Sequence, residues 1–242
     1  MNRLNETGPF WIDADDPELR FPDVTLALRD PDGLLALGGD LSSERLLLAY
    51  RSGIFPWFGP QQPVLWWSPD PRLVLFPESL RISRSLSKAL RRNDLAVTMD
   101  AAFSQVVEQC AARRPGQSGT WITPEMRTAY QQLHAQGHAH SVECWQKDTL
   151  VGGLYGVAVG RIFFGESMFT RANDASKVAF VRLVQRLQEW GFPMIDCQVY
   201  TRHLESLGAT SISRSEFLRV LDEYCERDPV PGRWQIDGQV GI

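Results

Sequence analysis

Four groups of residues in this 242-residue chain combine types and spacings that could do chemistry. The first is Asp196-Cys197-Gln198, at the end of an apolar run. In an extended strand alternate side chains share a face, so Asp196 and Gln198 point one way and Cys197 the other. A carboxylate beside an amide can fix the amide's orientation, which gives its oxygen one direction in which to accept a hydrogen. Polar residues at a strand end facing water explain the same spacing, and spacing alone favours that plainer reading. The second group is Phe164-Gly-Glu-Ser-Met168, where alternation puts Glu166 and Met168 on one face among Phe163, Phe164 and Phe169. A carboxylate in such company is either exposed or held by a partner. The lip of an apolar cavity and a salt-bridged sheet edge both fit.

The third group is basic. Arg84, Lys88, Arg91 and Arg92 recur at spacings of three and four, which puts them on roughly one helix face with few acids nearby. Phosphate binding needs a local cationic face of this kind. A solvated helix surface is the ordinary alternative. The nearby Trp57, Trp66 and Trp67, set among prolines, add weight to nucleic acid, because bases stack on aromatic rings. The fourth group is the polar loop Thr170 to Lys177, which leads from a strand into a helix. A helix start can hold phosphate. This one lacks the glycine-rich run of a nucleotide loop or of the turn that coenzyme A-dependent acyltransferases use.

Two weaker constellations remain. His138, His140, Glu143 and Cys144 have metal-ligand side chains, but strand alternation sends His140 and Glu143 to opposite faces, which argues against zinc. Cys197 with His203 as base is a conceivable nucleophile, although a buried strand thiol without an activating partner fits better.

The elements that must position these groups follow from punctuation and period. Residues 1–32 read as an irregular arm. A helix capped between Asp40 and Ser43 continues to Ser52 and stops at Gly53. Proline in the Trp57–Arg72 region excludes one long helix or a central strand and suggests a rigid platform of three tryptophans. Leu73 to Phe76 reads as a strand, Ser83 to Arg92 as a helix, and Asp100 to Arg114 as a helix with Asp100 at its cap. Arg113 to Gly119 reads as a loop. Thr123-Pro-Glu opens a helix that Gly137 closes. Ser141 to Gln146, Thr149 to Val157 and Arg161 to Phe169 form an antiparallel meander. A helix from Lys177 to Trp190, a strand from Met194 to Tyr200 and a helix from Ser215 to Cys225 follow. The tail after Asp228 carries no readable signal.

Composition bounds the class. Hydrophobic residues make up 43% and charged residues 22%, as in folded proteins rather than disordered ones. The net charge of −4 excludes a generally sticky nucleic-acid binder but leaves room for one basic patch. No run approaches the ~20 apolar residues of a membrane span, and the polar start does not read as a signal peptide. The cysteines Cys110, Cys144, Cys197 and Cys225 are scattered, as in reduced cytoplasmic proteins.

Several long motifs occur in order: Gly33-Leu-Leu-Ala-Leu-Gly-Gly-Asp-Leu, Gly53-Ile-Phe-Pro-Trp-Phe, Leu65-Trp-Trp-Ser-Pro-Asp-Pro-Arg, Gly119-Thr-Trp-Ile-Thr, Gly137-His-Ala-His-Ser, Val151-Gly-Gly-Leu-Tyr-Gly-Val, Gly165-Glu-Ser-Met-Phe, Ala175-Ser-Lys and Ile195-Asp-Cys-Gln-Val. On these the chain, from about Phe21 to about Tyr224, closely resembles the bacterial leucyl/phenylalanyl-tRNA–protein transferases. The resemblance implies transfer of leucine or phenylalanine, less often methionine, from aminoacyl-tRNA to a protein beginning with Lys or Arg, which marks that protein for degradation. It implies an α/β (α+β) fold: a small N-terminal α/β domain with tRNA-binding elements, over 1–92, and a C-terminal catalytic domain like the GCN5-related acetyltransferases, with a mainly antiparallel sheet, over 93–242. It further implies a cytoplasmic monomer with no metal or coenzyme, the energy coming from the ester on the tRNA.

Carried over by motif, Asp196 would orient Gln198, whose carbonyl oxygen draws a proton from the attacking amine, and Glu166 would be a further site carboxylate. Leu154, Phe163, Met168, Phe180 and Ile195 would line the donor side-chain pocket. Trp57 would stack on the terminal adenine, and Arg84, Lys88, Arg91 and Arg92 would grip acceptor-stem phosphates. Thr201 stands where the family pattern has asparagine. The rivals are a coenzyme A-dependent acetyltransferase of the same fold class, a non-catalytic tRNA-binding module, and a transferase with a changed acceptor.

Overall fold

The structure is a computed structural model that describes residues 9–16, 18–92, 94–112 and 120–236. In chain order the strands and helices are β1 (Phe10–Ile12), β2 (Leu34–Gly38), α1 (Ser43–Arg51), β3 (Phe55–Pro56), β4 (Leu65–Trp67), β5 (Arg72–Leu75), α2 (Arg84–Arg92), β6 (Ala96–Met99), α3 (Phe103–Ala111) and α4 (Pro124–Ala135). Then come β7 (Ala139–Gln146), β8 (Thr149–Val159), β9 (Ile162–Thr170), α5 (Ala175–Glu189), β10 (Met194–Gln198), α6 (Arg202–Ser206), β11 (Thr210–Ile212) and α7 (Arg214–Tyr224).

Local chemistry sets these boundaries. Ser42 Oγ accepts from the Arg45 N–H at the start of α1, and Gly53, at φ +73°, ends it. Thr123 caps α4 with Pro124 in its first turn. Ser213 and Glu216 form a reciprocal capping box on α7. Gly152 lets α5 begin directly on β8, since a Cβ there would lie 2.6 Å from the Ala175 Cβ.

The strands form two sheets. A small one runs β1-β2-β4-β3, and a large one runs β11-β5-β10-β9-β8-β7-β6. The large sheet is antiparallel except for β9 with β10, which α5 connects as a crossover. Its two faces are covered differently. One packs Tyr155, Val157 and Phe164 against α1, α3, α4, α7 and the small sheet. The other packs Leu154, Phe163 and Ile195 against α2, α5 and the C-terminal segment around Trp234. The chain is thus a mixed α/β protein built on a mainly antiparallel sheet.

Several sequence expectations change. The N-terminal arm contributes β1, which pairs with β2 in parallel. Sheet membership changes between Trp67 and Arg72, because β5 lies between β11 and β10 in the large sheet. The three tryptophans are not one platform. Trp66 and Trp67 alternate along β4, so Trp66 is fully buried and only Trp57 and Trp67 reach the surface. β4 is an inner strand without proline, and Pro56 sits in the edge strand β3, where a missing N–H does no harm. Asp100 caps no helix. It takes φ +52° after β6, a strand the sequence did not show, and its carboxylate accepts from the Ser141 and Trp234 N–H groups. Glu143 serves α3 instead, accepting from the Ala101 and Ala102 N–H groups. The expected loop 113–119 lies outside the described residues.

Candidate active site

β9 and β10 pair only over Ile162–Phe164 and Met194–Asp196. Beyond that point they no longer pair, and a cavity of about 310 Å³ occupies the space. Its walls include Leu154, Phe163, Met168, Phe180 and Ile195, all five expected pocket residues, together with Leu183, Cys197, Thr201, His203 and Leu204. Glu166 and Asp196 line its polar end. The lining is otherwise mostly apolar, which suits an apolar ligand group.

Two bulges build the polar end. Opposite β8, Tyr155 pairs with Ser167 and Gly156 with Gly165, which leaves Glu166 as the extra residue. The bulge breaks the expected alternation with Met168. Met168 packs on the Leu154 face, while the Glu166 carboxylate turns to two buried tyrosines. Tyr50 Oη donates to Oε1 at 2.8 Å and Tyr130 Oη to Oε2 at 2.6 Å. The phenol oxygens are themselves 2.8 Å apart. Burial pushes the Glu166 carboxyl up to about 7, against the pull of the hydrogen bonds from Tyr130, Tyr50 and Gln198. Burial and the Glu166 charge hold both phenols well above their ordinary range, so they remain donors.

The second bulge is at Cys197, between the pairs Asp196 with Val74 and Gln198 with Leu73. Gln198 takes φ +62°, a left-handed conformation that costs a non-glycine residue about 1–3 kcal/mol. Asp196 holds it there, since Oδ1 accepts from the Gln198 backbone N–H at 2.9 Å. The link between the two residues therefore runs through the main chain and not the side-chain amide. The amide is set by Glu166, whose Oε1 accepts from Gln198 Nε2 at 2.9 Å. With its NH₂ committed, the amide has its oxygen free to accept.

Asp196 is fully buried and charged, so it needs a cation. Arg72 supplies one, with Nε to Oδ1 at 2.8 Å and Nη2 to Oδ2 at 2.7 Å. The guanidinium lies over the rings of Phe55 and Phe217, at 4.6 Å and 4.7 Å to their centroids. Sequence reasoning missed Arg72, Tyr50 and Tyr130. A buried-strand aspartate demands a cation, and an arginine heading the apolar run Leu73 to Phe76 was the available signal. The tyrosines sit on α1 and α4 and gave none.

The remaining residues fall elsewhere. Cys197 lines the cavity, but burial and the Asp196 charge push its thiol up, and its Sγ contacts the Ile195 carbonyl at 3.9 Å rather than His203. Thr201 caps α6 by accepting from the Leu204 N–H. Trp57 is 44% exposed beside Trp67, whose ring centroid lies 5.8 Å away and whose indole donates to the Trp57 carbonyl. Arg84, Lys88 and Arg91 are exposed on α2, and Leu86 and Ala89 anchor its other face. The side chain of Arg92 lies outside the described residues. His140 gives its Nδ1 to Asp100 and stacks on Trp234.

Comparison with known proteins adds an independent line. A family model described as "Leucyl/phenylalanyl-tRNA protein transferase" matches residues 74–222, and one for that family's N-terminal domain matches residues 39–70. The chain is 58% identical over 225 residues to a leucyl/phenylalanyl-tRNA–protein transferase of Stutzerimonas stutzeri, covering 93% of this chain and 98% of that one. It is 61% identical over 208 residues to one of Azotobacter vinelandii, covering 86% and 92%. Among solved structures it is similar to L-PGS from Bacillus licheniformis at 13% identity, over 71% of this chain and 57% of that one, with a TM-score of 0.38.

Proposed function

The chain belongs to the leucyl/phenylalanyl-tRNA–protein transferase family, and on that premise we propose that it moves leucine or phenylalanine, less often methionine, from aminoacyl-tRNA to the N-terminal Lys or Arg of acceptor proteins. The product carries a destabilising N-terminus that marks the protein for degradation. The observation that carries the reading is an apolar cavity lined at its polar end by Glu166, whose carboxylate holds the Gln198 amide.

The donor side chain fills the cavity, which brings its ester carbonyl to the polar end. The acceptor's α-amine attacks that carbon. A C–N bond forms, the bond to the ribose oxygen breaks, and the amine's proton must leave while the ribose oxygen gains one. Gln198 Oε1 accepts a hydrogen from the amine and orients it. An amide cannot hold the proton. Glu166, with a carboxyl near 7, takes it up and returns it to the leaving oxygen. Asp196 and Arg72 act behind Gln198 by fixing its backbone.

Trp57 stacks on the terminal adenine, and Arg84, Lys88 and Arg91 meet acceptor-stem phosphates. Contacts to phosphate carry no sequence, which suits an enzyme serving several tRNAs. The enzyme acts as a monomer in the cytoplasm. Among the described residues no helix is long and apolar enough to cross a membrane.

The test mixes the protein with radiolabelled Leu-tRNA or Phe-tRNA and a peptide beginning with Arg, free or acetylated at its N-terminus. Label on the free peptide alone is expected. Bound tRNA without transfer would leave a binding module or a changed acceptor, and tight coenzyme A binding would favour the acetyltransferase.

A further inference from the structure

The C-terminal segment, silent in the sequence, puts a large ring behind the donor cavity. Trp234 is 1% exposed and is enclosed by rings. His140 stacks on it at 3.8 Å, with Trp190 at 4.9 Å, Phe163 at 5.8 Å and Phe192 at 6.0 Å between centroids. The segment is pinned at this point, because the Trp234 backbone N–H donates to Asp100 Oδ2 at 2.8 Å and Val230 and Ile236 pack on the same core.

Phe163 connects this cluster to the cavity, whose wall it forms with Leu154, Phe180 and Ile195. Its ring lies tight over Gly156, where a Cβ would come within 2.5 Å of the Phe163 ring. The β8 backbone thus blocks retreat on that side, and Trp234 blocks it on another. Among the described residues the buried Trp234 indole N–H has no partner, a cost that phenylalanine would not carry. What tryptophan contributes over phenylalanine at this position is therefore bulk.

We propose that Trp234 is a specificity-determining positioning residue: from behind Phe163 it fixes the depth of the donor cavity, and so the size of side chain the enzyme transfers. This rests on the transferase reading above. Without the indole, Phe163 moves back and the cavity deepens. Larger aromatic donors gain relative to leucine, while tRNA binding is unchanged.

The experiment compares wild type, Trp234→Phe and Trp234→Leu. It measures kcat/KM for Leu-, Phe- and misacylated Trp-tRNA, all on one tRNA body, together with the Kd for uncharged tRNA and the Tm. The expected result is a rise of about tenfold in the Trp:Leu ratio, graded from Phe to Leu at position 234, with Kd unchanged. The conservative Trp234→Phe keeps the test available if Trp234→Leu fails to fold. A preserved ratio overturns the inference, whether rates are normal or fall equally for every donor, since equal loss reports only general destabilisation. A wild-type protein that transfers nothing would instead overturn the transferase reading.

Discussion

Arg72 and Asp196, 124 residues apart in sequence, form a two-pronged ion pair with side-chain exposures of 1% and 0%. The same Asp196 oxygen that accepts from Arg72 Nε also accepts from the Gln198 N–H. The pair is thus the far end of a relay: guanidinium, carboxylate, left-handed backbone, amide, and finally Glu166. Removing one partner strands a buried charge, so Asp196→Ala should cost about 3–5 kcal/mol of stability. Replacing both partners by hydrophobic residues of similar volume is usually far less costly. Arg72→Met with Asp196→Leu should therefore recover most of the Tm and remain inactive, because Gln198 still lacks its anchor. A double variant with restored transfer would show that the pair serves stability alone.

The pH dependence follows from Glu166. Its carboxyl lies at about 7, so the ionised form needed to accept a proton fills in as pH rises through neutrality. Transfer kcat/KM should rise through pH 7, and Glu166→Gln should abolish that limb, leaving only the deprotonation of the acceptor amine near ~7.7–8. The hydrogen bond from Tyr130 holds the carboxyl down, so Tyr130→Phe should move the limb to higher pH. For stability the sign is opposite. The folded protein keeps this proton between the ordinary value of 4.5 and about 7, where the unfolded chain has lost it. Glu166's contribution to folding therefore falls as pH rises through that window, and Glu166→Gln should flatten the corresponding slope of Tm against pH.

Much of the fold was legible because it rests on local signals. The Thr123-Pro124 cap, the Gly53 and Gly137 stops and the three-strand meander all appear where punctuation and period put them. Leu154, Phe163, Met168, Phe180 and Ile195, far apart in sequence, line one cavity. What failed was strict alternation. The bulge at Glu166 re-aims its carboxylate away from Met168, whereas Asp196 and Gln198 share one face with Cys197 on the other, and a bulge answers to the partner strand, which the strand's own sequence does not contain. The same holds for Asp100, a good cap residue by type, which instead ties together β7 and the C-terminal segment.

The basic face of α2 makes a prediction about salt. Arg84, Lys88 and Arg91 are exposed on the side away from Leu86 and Ala89, and the helix has no acid in its first turn. If Arg84 and Lys88 each neutralise one phosphate, each contributes about 0.7–0.9 to the slope of log K against log salt. Arg84→Ala with Lys88→Ala should lower that slope by about 1.5 and weaken tRNA binding most at low salt. Donor selectivity should not change, because neither residue lines the cavity. An unchanged slope would place the phosphate contacts elsewhere.

Donor choice should respond to the α5 wall from inside the cavity. Phe180 and Leu183 both project into it from α5, next to the β-strand wall of Leu154 and Met168. Leu183→Phe adds ring volume to a packed site and should cost about 1–3 kcal/mol of stability, since overfilling forces neighbours off their rotamers. Its larger effect should fall on the donor, because the space removed is space that phenylalanine needs and leucine does not. The Phe:Leu ratio of kcat/KM should drop about tenfold or more. Phe180→Leu should shift it the other way by enlarging the cavity. Neither change touches the Gln198–Glu166 pair, so both variants should keep the wild-type pH limb. Opposite ratios with a common pH profile would separate the cavity that selects the donor from the amide and carboxylate that move the proton. Parallel losses for both donors would assign the α5 wall to packing alone.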